Sequence, residues 1–480
     1  SARFDTPEAM MRLWAHECQR VFSDRFVADA LQDSKTFIDL LSAKLKDFFE
    51  TDWRGIMGDV DDDEYGPIMA SFMEEGVEGV PYEEVTDFPK LKQRLEDKLE
   101  DYNLEPKLLS MNLVLFKDAV RHICKIHRVL KLQRGSMMLV GVGGVGRQSV
   151  CRLASYTAEY DVFMIEITKQ YRMVEWHDDM KRLFEKTGVE NKPTTFLFND
   201  TQIKDEGFLE DINNILNAGE IPNLYAKDEL PGIYDGVRKA AIAAGLEETP
   251  DQLWKFFVER VRANLHIILA MSPVGENTRT RCRFYPSLIN NTTIDWFTSW
   301  PQDALTSVGL RFLEGVTLED ESFREGIAAT FATVHISVEA SSDKMLNELK
   351  RHNYITPTHF LELVKGYKQL LAEKRGELGA QRDKLSNGLA KLVEARDGVE
   401  VMSAELEKKK VIVAQKQKDC EALLVVIVSE RRAAEEQKKT VEADSERIGK
   451  EEVECKAIAD DAQQDLAVAL PALEKAMAEV

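Results

Sequence analysis

The residues best suited to chemistry form one glycine-rich run, Gly141-Val142-Gly143-Gly144-Val145-Gly146-Arg147-Gln148-Ser149, set after a short apolar stretch and before a helical one. Strand, glycine loop and helix in that order suit a phosphate. Glycines let backbone N–H groups curl round the anion, and the helix N-terminus adds its partial positive charge. A tight turn without a ligand is the plainer alternative. The run departs from the usual pattern G-x-x-x-x-G-K-[ST], because Arg147 replaces the lysine and Gln148 the hydroxyl that holds magnesium. Arginine keeps the charge in a larger, forked head. Ser149 offers a hydroxyl, but about 100° further round the helix. The spacing predicts a phosphate site and leaves magnesium coordination in question.

A hydrolytic site also needs an apolar strand ending in carboxylates, one for the metal and one to activate water. Thr194-Thr195-Phe196-Leu197-Phe198-Asn199-Asp200 supplies the strand and a single acid, with Asn199 at the metal position and Asp200 at the water-activating one. A buried strand ending at a surface Asp is the alternative. The loop Ser272 to Pro286 carries Arg279, Arg281 and Arg283, which either face solvent or supply an arginine finger to a neighbouring module's nucleotide. His122, Cys124 and His127 are read as helix-packing residues, and the acidic patch Asp59, Asp61, Asp62, Asp63 and Glu64 as a solvated loop, so no metal site is expected.

Elements must hold these residues in place. Apolar runs at Met137 to Val140, Val162 to Ile167, Thr194 to Phe198, Leu265 to Met271 and Thr292 to Phe297 read as buried strands, separated by helical stretches such as Phe208 to Leu216 and Gln252 to Asn264. The alternation predicts an α/β fold with a mostly parallel sheet. Helices are expected from Thr6 to about Phe22, Ser34 to Phe49 and Leu108 to Leu132, and Gln302 to Leu349 reads as wholly helical, a lid on the sheet domain.

The last quarter differs in kind. From Leu371 through Leu378, Leu385 and Leu392 to Ala476, every seventh residue is apolar or small, the signature of a coiled coil. As one helix the stretch would span on the order of 170 Å. The companion column is poorer: Leu389, Met402, Leu423, Ile458, Leu466 and Leu473 fit, whereas Lys374, Lys409, Lys416 and Glu430 hold equivalent places. An interrupted second seam predicts an adjustable register, and the partner strand is expected beyond Val480 or on another chain. Pro471 would kink or end the helix.

Composition sets the outer bounds. At 480 residues the chain holds about three domains' worth of material. A charge of -21 would repel a nucleic-acid backbone, so nucleic acid is an unexpected partner. Six cysteines without a C-x-x-C pair suit a reducing compartment, and the apolar runs fall short of a membrane span. The opening Ser-Ala-Arg-Phe-Asp has no initiator Met, so an excerpt of a longer chain is expected.

Taken together, MNLVLFKDAVRHICKIHRVL, LVGVGGVGRQS, FLFNDTQIKDEGFLEDINNILNAGEIPNLY, MSPVGENTRTRCRFYPSLINNTTIDWF, NYITPTHFLELVKGYKQLLAEKRGEL and DLAVALPALEKAM resemble the dynein heavy-chain family, over almost the whole chain. The likeness is to the fourth AAA+ module of the motor ring and its outgoing stalk helix. The Arg-Gln-Ser loop looks like the axonemal branch, and the stalk wording is similar to inner-arm chains. The resemblance implies an AAA+ P-loop module, a parallel sheet with a helical lid, followed by a coiled-coil stalk strand. It implies the end of a preceding lid at 1–50, a connecting segment at 51–110, the large subdomain at 111–300, the small helical subdomain at 301–355 and the stalk at 356–480.

ATP or ADP would sit on Gly141, Gly143, Gly144, Gly146, Arg147, Gln148 and Ser149, with Asn199 and Asp200 as a degenerate acidic pair. Ser272 would stand in the first sensor position and Arg281 would be the finger reaching the preceding module. Implied partners are the other AAA+ modules of the same heavy chain, a returning stalk helix beyond Val480, the microtubule through the stalk tip, and dynein intermediate and light chains. The expected activity is regulatory: nucleotide binding with slow hydrolysis, in a motor that moves toward microtubule minus ends in the cytoskeleton of cilia and flagella. The alternatives are a coiled-coil ATPase of the chromosome-maintenance type and a scaffold that binds no nucleotide.

Overall fold

The computed structural model describes residues 6–26, 31–57, 67–74, 81–275 and 277–442. Its centre is a five-stranded sheet: β1 (Met137–Gly141), β2 (Asp161–Phe163), β3 (Thr194–Asn199), β4 (Leu265–Met271) and β5 (Thr293–Phe297), in the order β2-β3-β4-β1-β5. Every pairing is parallel. All residues of β1, β3 and β4 are buried, as expected of strands covered on both faces. Alternate residues divide between two cores. Met138, Val140, Phe196, Phe198, Ile267 and Leu269 face one, where Trp176 stacks on Phe208 with ring centroids 4.6 Å apart. Met137, Leu139, Leu197, Ile268 and Ala270 face the other, closed by the helices Lys117–Leu130 and Arg147–Thr157. Each such apolar side chain contributes about 1.5–3 kcal/mol on burial.

A third core is the lid. Leu305, Val308 and Leu313 of the helix Gln302–Leu313 pack with Ala328, Phe331 and Ala332 of the helix Phe323–Leu349, and with Phe360 and Val364 from the first turns of the long helix Pro357–Glu442. Residues up to Ala372 form one compact unit, and the chain from Glu373 onward forms another. Helices Pro7–Val21, Leu31–Phe49 and Trp53–Met57 share a small core of their own. No described helix is long and apolar enough to cross a membrane.

The five strands, the lid and the long helix stand where the sequence places them, and four local expectations are corrected. The helix read from Leu108 begins only at Lys117. Ahead of it Met111, Leu113 and Leu115 pack on the sheet core while Val114 and Phe116 pack on the lid core, an alternation of two that requires extended chain. The strand read over Val162 to Ile167 ends at Phe163. The carbonyl of Ile165 instead accepts from Gln202 Nε2 at 2.7 Å. The arginine-bearing loop contains a helix, Asn277–Phe284. The lid breaks after Leu313, where Gly315 takes a φ of 77° and Arg324 donates to the carbonyls of Leu313 and Val316. The acidic patch Asp59 to Glu64 and the heptad positions from Ile448 to Ala476, with Pro471, lie outside the described residues.

Candidate nucleotide site

In a parallel sheet all strands present their C-terminal ends at one edge, and the sequence motifs gather there. Gly141 closes β1 opposite Phe297, where an added Cβ would lie 2.8 Å from the Phe297 Cβ, so a glycine is needed for the chain to leave the sheet. Gly144 and Gly146 take φ of 82° and 92°, the left-handed region that favours glycine. An added Cβ would meet nothing within 4 Å at Gly143 or Gly146. Gly146 is also the N-cap of the helix Arg147–Thr157, and no side chain caps that end. Its first N–H groups are therefore left for an anion.

Beside the loop lies a cavity of about 800 Å³, its open mouth included, lined by Gly144, Gly146 and Ser149, by Asn112 and Phe116 of the extended segment, and by Trp300 after β5. Phe116 and Trp300 meet edge to face at 5.3 Å. His122, also in the wall, stacks on Phe297 at 3.8 Å, and its Nδ1 lies 2.6 Å from Asp295 Oδ2.

Arg147 is placed differently from the expectation of a phosphate grip. Its side chain is buried and Nη1 donates to the carbonyl of Met271, the last residue of β4. The amide of Ser272, on the other side of the same peptide bond, donates to Asp200 Oδ2 at 2.8 Å. One peptide group thus ties the loop helix to the acid after β3. Burial pulls the guanidinium below its ordinary value, and the charge of Asp200 pulls it back up. Asn199 is buried too, and its Oδ1 has no hydrogen-bond partner. Gln148 is exposed at the loop.

Arg281 is held within its own module: its Nε and Nη2 donate to Glu206 Oε1 at 3.0 and 2.8 Å, and Tyr285 OH donates to the Glu206 carbonyl at 3.1 Å. Ser272 accepts through its carbonyl from Thr278 Oγ1 at 2.5 Å. The structure therefore brings together the glycine loop, Arg147, Asp200, Asn199 and Ser272, and holds Arg281 apart on its surface helix.

The family described as the P-loop containing dynein motor region D4 matches residues 111–370, more than half of the chain. The chain belongs to the dynein heavy-chain motor family. It is 50% identical to mouse dynein axonemal heavy chain 2 over 98% of its own length and 10% of that protein. It is 49% identical to the dynein-1-beta heavy chain of the flagellar inner arm I1 complex of Chlamydomonas reinhardtii over 85% of its length and 9% of that protein, and 40% identical to human dynein axonemal heavy chain 6 over 94% and 11%. It spans about a tenth of the length of these relatives.

Within this dynein module the donors do not fit the magnesium ion that a P-loop site implies. The family's hydroxyl and metal carboxylate are here two neutral amides, Gln148 and Asn199, whereas magnesium is usually held by carboxylates and phosphates. The Asn199 Oδ1 is enclosed by protein, and Asp200 already accepts from the Ser272 amide. Sequence reasoning missed Thr358, whose Oγ1 would lie 1.9 Å from a Cβ on Gly144, and the wall formed by Asn112, Phe116, His122 and Trp300. The alternating run from Met111 to Phe116 was the available signal for that wall. None marked Thr358.

Proposed function

We propose that this chain is a nucleotide-binding, stalk-bearing part of an axonemal dynein motor, working in the cytoskeleton of cilia and flagella. The module holds ATP or ADP at the edge of its sheet and hydrolyses it slowly. The observation that carries this reading is the left-handed glycine loop opening onto a cavity at an uncapped helix N-terminus. Slow turnover follows from the acid pair: Asn199 cannot compensate a metal's charge, and Asp200 is engaged by the Ser272 amide. Losing such electrostatic stabilisation costs about 3–4 kcal/mol of barrier per group.

The long helix is the outgoing strand of the stalk, paired with a returning strand beyond Val480, and relays the state of the ring to a microtubule-binding tip. Movement toward microtubule minus ends is powered by other modules of the same heavy chain, with intermediate and light chains as further partners. Arg281 serves the preceding module as a finger once it leaves Glu206. The segments 1–50, 51–110, 111–300, 301–355 and 356–480 are the preceding lid's end, connector, large subdomain, small subdomain and stalk.

Mass spectrometry of nucleotide released on denaturing the purified chain tests the binding site. ADP or ATP is expected in near-stoichiometric amount, and an empty protein that also takes up none on incubation leaves the scaffold alternative standing. Single-turnover assays are expected to show slow hydrolysis, and brisk turnover would refute the regulatory role.

A further inference from the structure

On the helix Lys117–Leu130 the ring of His122 is fixed from two sides. It lies parallel to Phe297, with 11° between the planes and 3.8 Å between the centroids, and its Nδ1 is 2.6 Å from Asp295 Oδ2. Asp295 is buried on β5, its other oxygen 3.4 Å from Lys125 Nζ, and Lys125 is itself held by Asp24 at 2.8 Å. An ionised carboxylate only accepts, so Nδ1 carries the proton of this hydrogen bond. The two nitrogens lie on opposite edges of an imidazole, which turns Nε2 away from the buried acid. Among the described residues Nε2 has no hydrogen-bond partner, and it is not one of the polar atoms enclosed by protein. The space that His122 borders is the cavity beside the glycine loop.

We propose that His122 reads the nucleobase: Nε2 accepts a hydrogen bond from the exocyclic amine of adenine and makes the cavity selective against purines that carry an oxygen in its place. The proposal rests on the nucleotide reading above. A histidine pinned by a carboxylate through Nδ1 holds one tautomer, with Nε2 as the acceptor. Phosphates offer only oxygens and need donors, which the uncapped helix end at the glycine loop supplies. An acceptor in the same cavity therefore suits the other end of the ligand. A ribose hydroxyl also donates, but the walls made by Val114, Phe116, Trp300, Val308 and Phe312 favour a flat apolar ring over a sugar. A purine oxygen facing Nε2 would bury two acceptors against each other with no proton between them, and such a mismatch is rejected more strongly than a missing apolar contact.

The test is calorimetric titration of the purified chain, stripped of nucleotide, at pH ~8, where an ordinary histidine is neutral. The ligands are ADP, inosine diphosphate, in which an oxygen replaces the amine, and deoxyadenosine diphosphate, which lacks one ribose hydroxyl. ADP is expected to bind at least about tenfold more tightly than inosine diphosphate and within about threefold of the deoxy nucleotide. Equal affinity for ADP and inosine diphosphate overturns the proposal, and so does a loss confined to the deoxy nucleotide, which would assign Nε2 to the sugar. No binding of any of the three overturns the nucleotide reading itself, so the two failures are distinct. This comparison needs no substitution and stands even if a variant fails to fold. His122→Phe keeps a flat ring against Phe297 and removes the acceptor. With its fold checked by circular dichroism, it is expected to bind ADP and inosine diphosphate within about threefold of each other. A variant that weakens both by the same factor, with the discrimination intact, would show that the ring only supports the wall.

Discussion

At the residue scale, the glycine loop was legible in the sequence and the aim of its arginine was not. Glycines at 141, 144 and 146 between a strand and a helix announce a turn that only they can make, and two of them do take left-handed φ. Where Arg147 points depends on the carbonyl at the end of β4, more than a hundred residues away, which no local pattern encodes. Gly144 shows a second such dependence. A Cβ there would fall 1.9 Å from Thr358 Oγ1 at the head of the long helix, on a backbone with φ of 82°. Strain and overpacking together predict that Gly144→Ala lowers stability by about 2 kcal/mol or more. Adding Thr358→Ala should recover part of the loss, since it removes the hydroxyl but leaves the Thr358 Cβ 3.1 Å away. Thermal unfolding of the two single variants and the double variant checks this, and additive effects would mean that the loop and the helix head are not in contact.

At the element scale, continuous apolar runs gave away β1, β3 and β4, because a strand buried on both faces has no polar side to confuse it. Helices with weak stripes were harder to read. Phe88–Leu104 in the connecting segment buries only Leu91, Leu95 and Tyr102, and Asn277–Phe284 buries nothing, so its arginines looked like a loop. The docking of the first helix and the turn after it was invisible as well, since it is polar: His16 Nε2 lies 2.8 Å from Tyr82 OH, Lys125 bonds Asp24 at 2.8 Å, and Arg25 donates to the Thr292 carbonyl at 3.2 Å.

This docking has a pH dependence with a definite sign. Burial, opposed by Glu17 and helped by Lys125, Arg20 and Arg128, pulls His16 down to about 4. A histidine whose folded pKa is depressed binds its proton more readily when unfolded. Its contribution is therefore complete above pH ~6.5 and lost as the pH falls toward 4, with a magnitude of up to about 3 kcal/mol. His127, buried and pulled to about 3, acts in the same direction. Melting temperatures followed from pH 7 to pH 4 should fall, and His16→Gln should flatten part of that slope. An unchanged slope in the variant would sink the assignment.

At the scale of the whole molecule, the question is what the long helix is for. Through Glu442 the sevenfold repeat does form one helix, and on it Leu378, Leu385 and Leu392 remain 65, 74 and 69% exposed, with Val399, Leu406 and Val413 also exposed. Each leucine left in water forgoes about 1.5–3 kcal/mol that a partner strand would supply, so a continuous column of them is an unpaired seam. The second seam sets how firmly that partner is held. Lys374, Lys409, Lys416 and Glu430 interrupt it and are exposed, so sliding the partner exchanges one solvated charge for another and leaves the leucine column nearly as well filled. A strand pair built this way is expected to populate more than one register. Cysteines placed in turn along the seam near Leu392 and on the facing strand of the complete heavy chain should cross-link in at least two alignments, with their proportions shifting when nucleotide is added. Cross-linking confined to a single alignment under every condition would make the stalk a fixed strut, and the lysines of its second seam would then need another explanation.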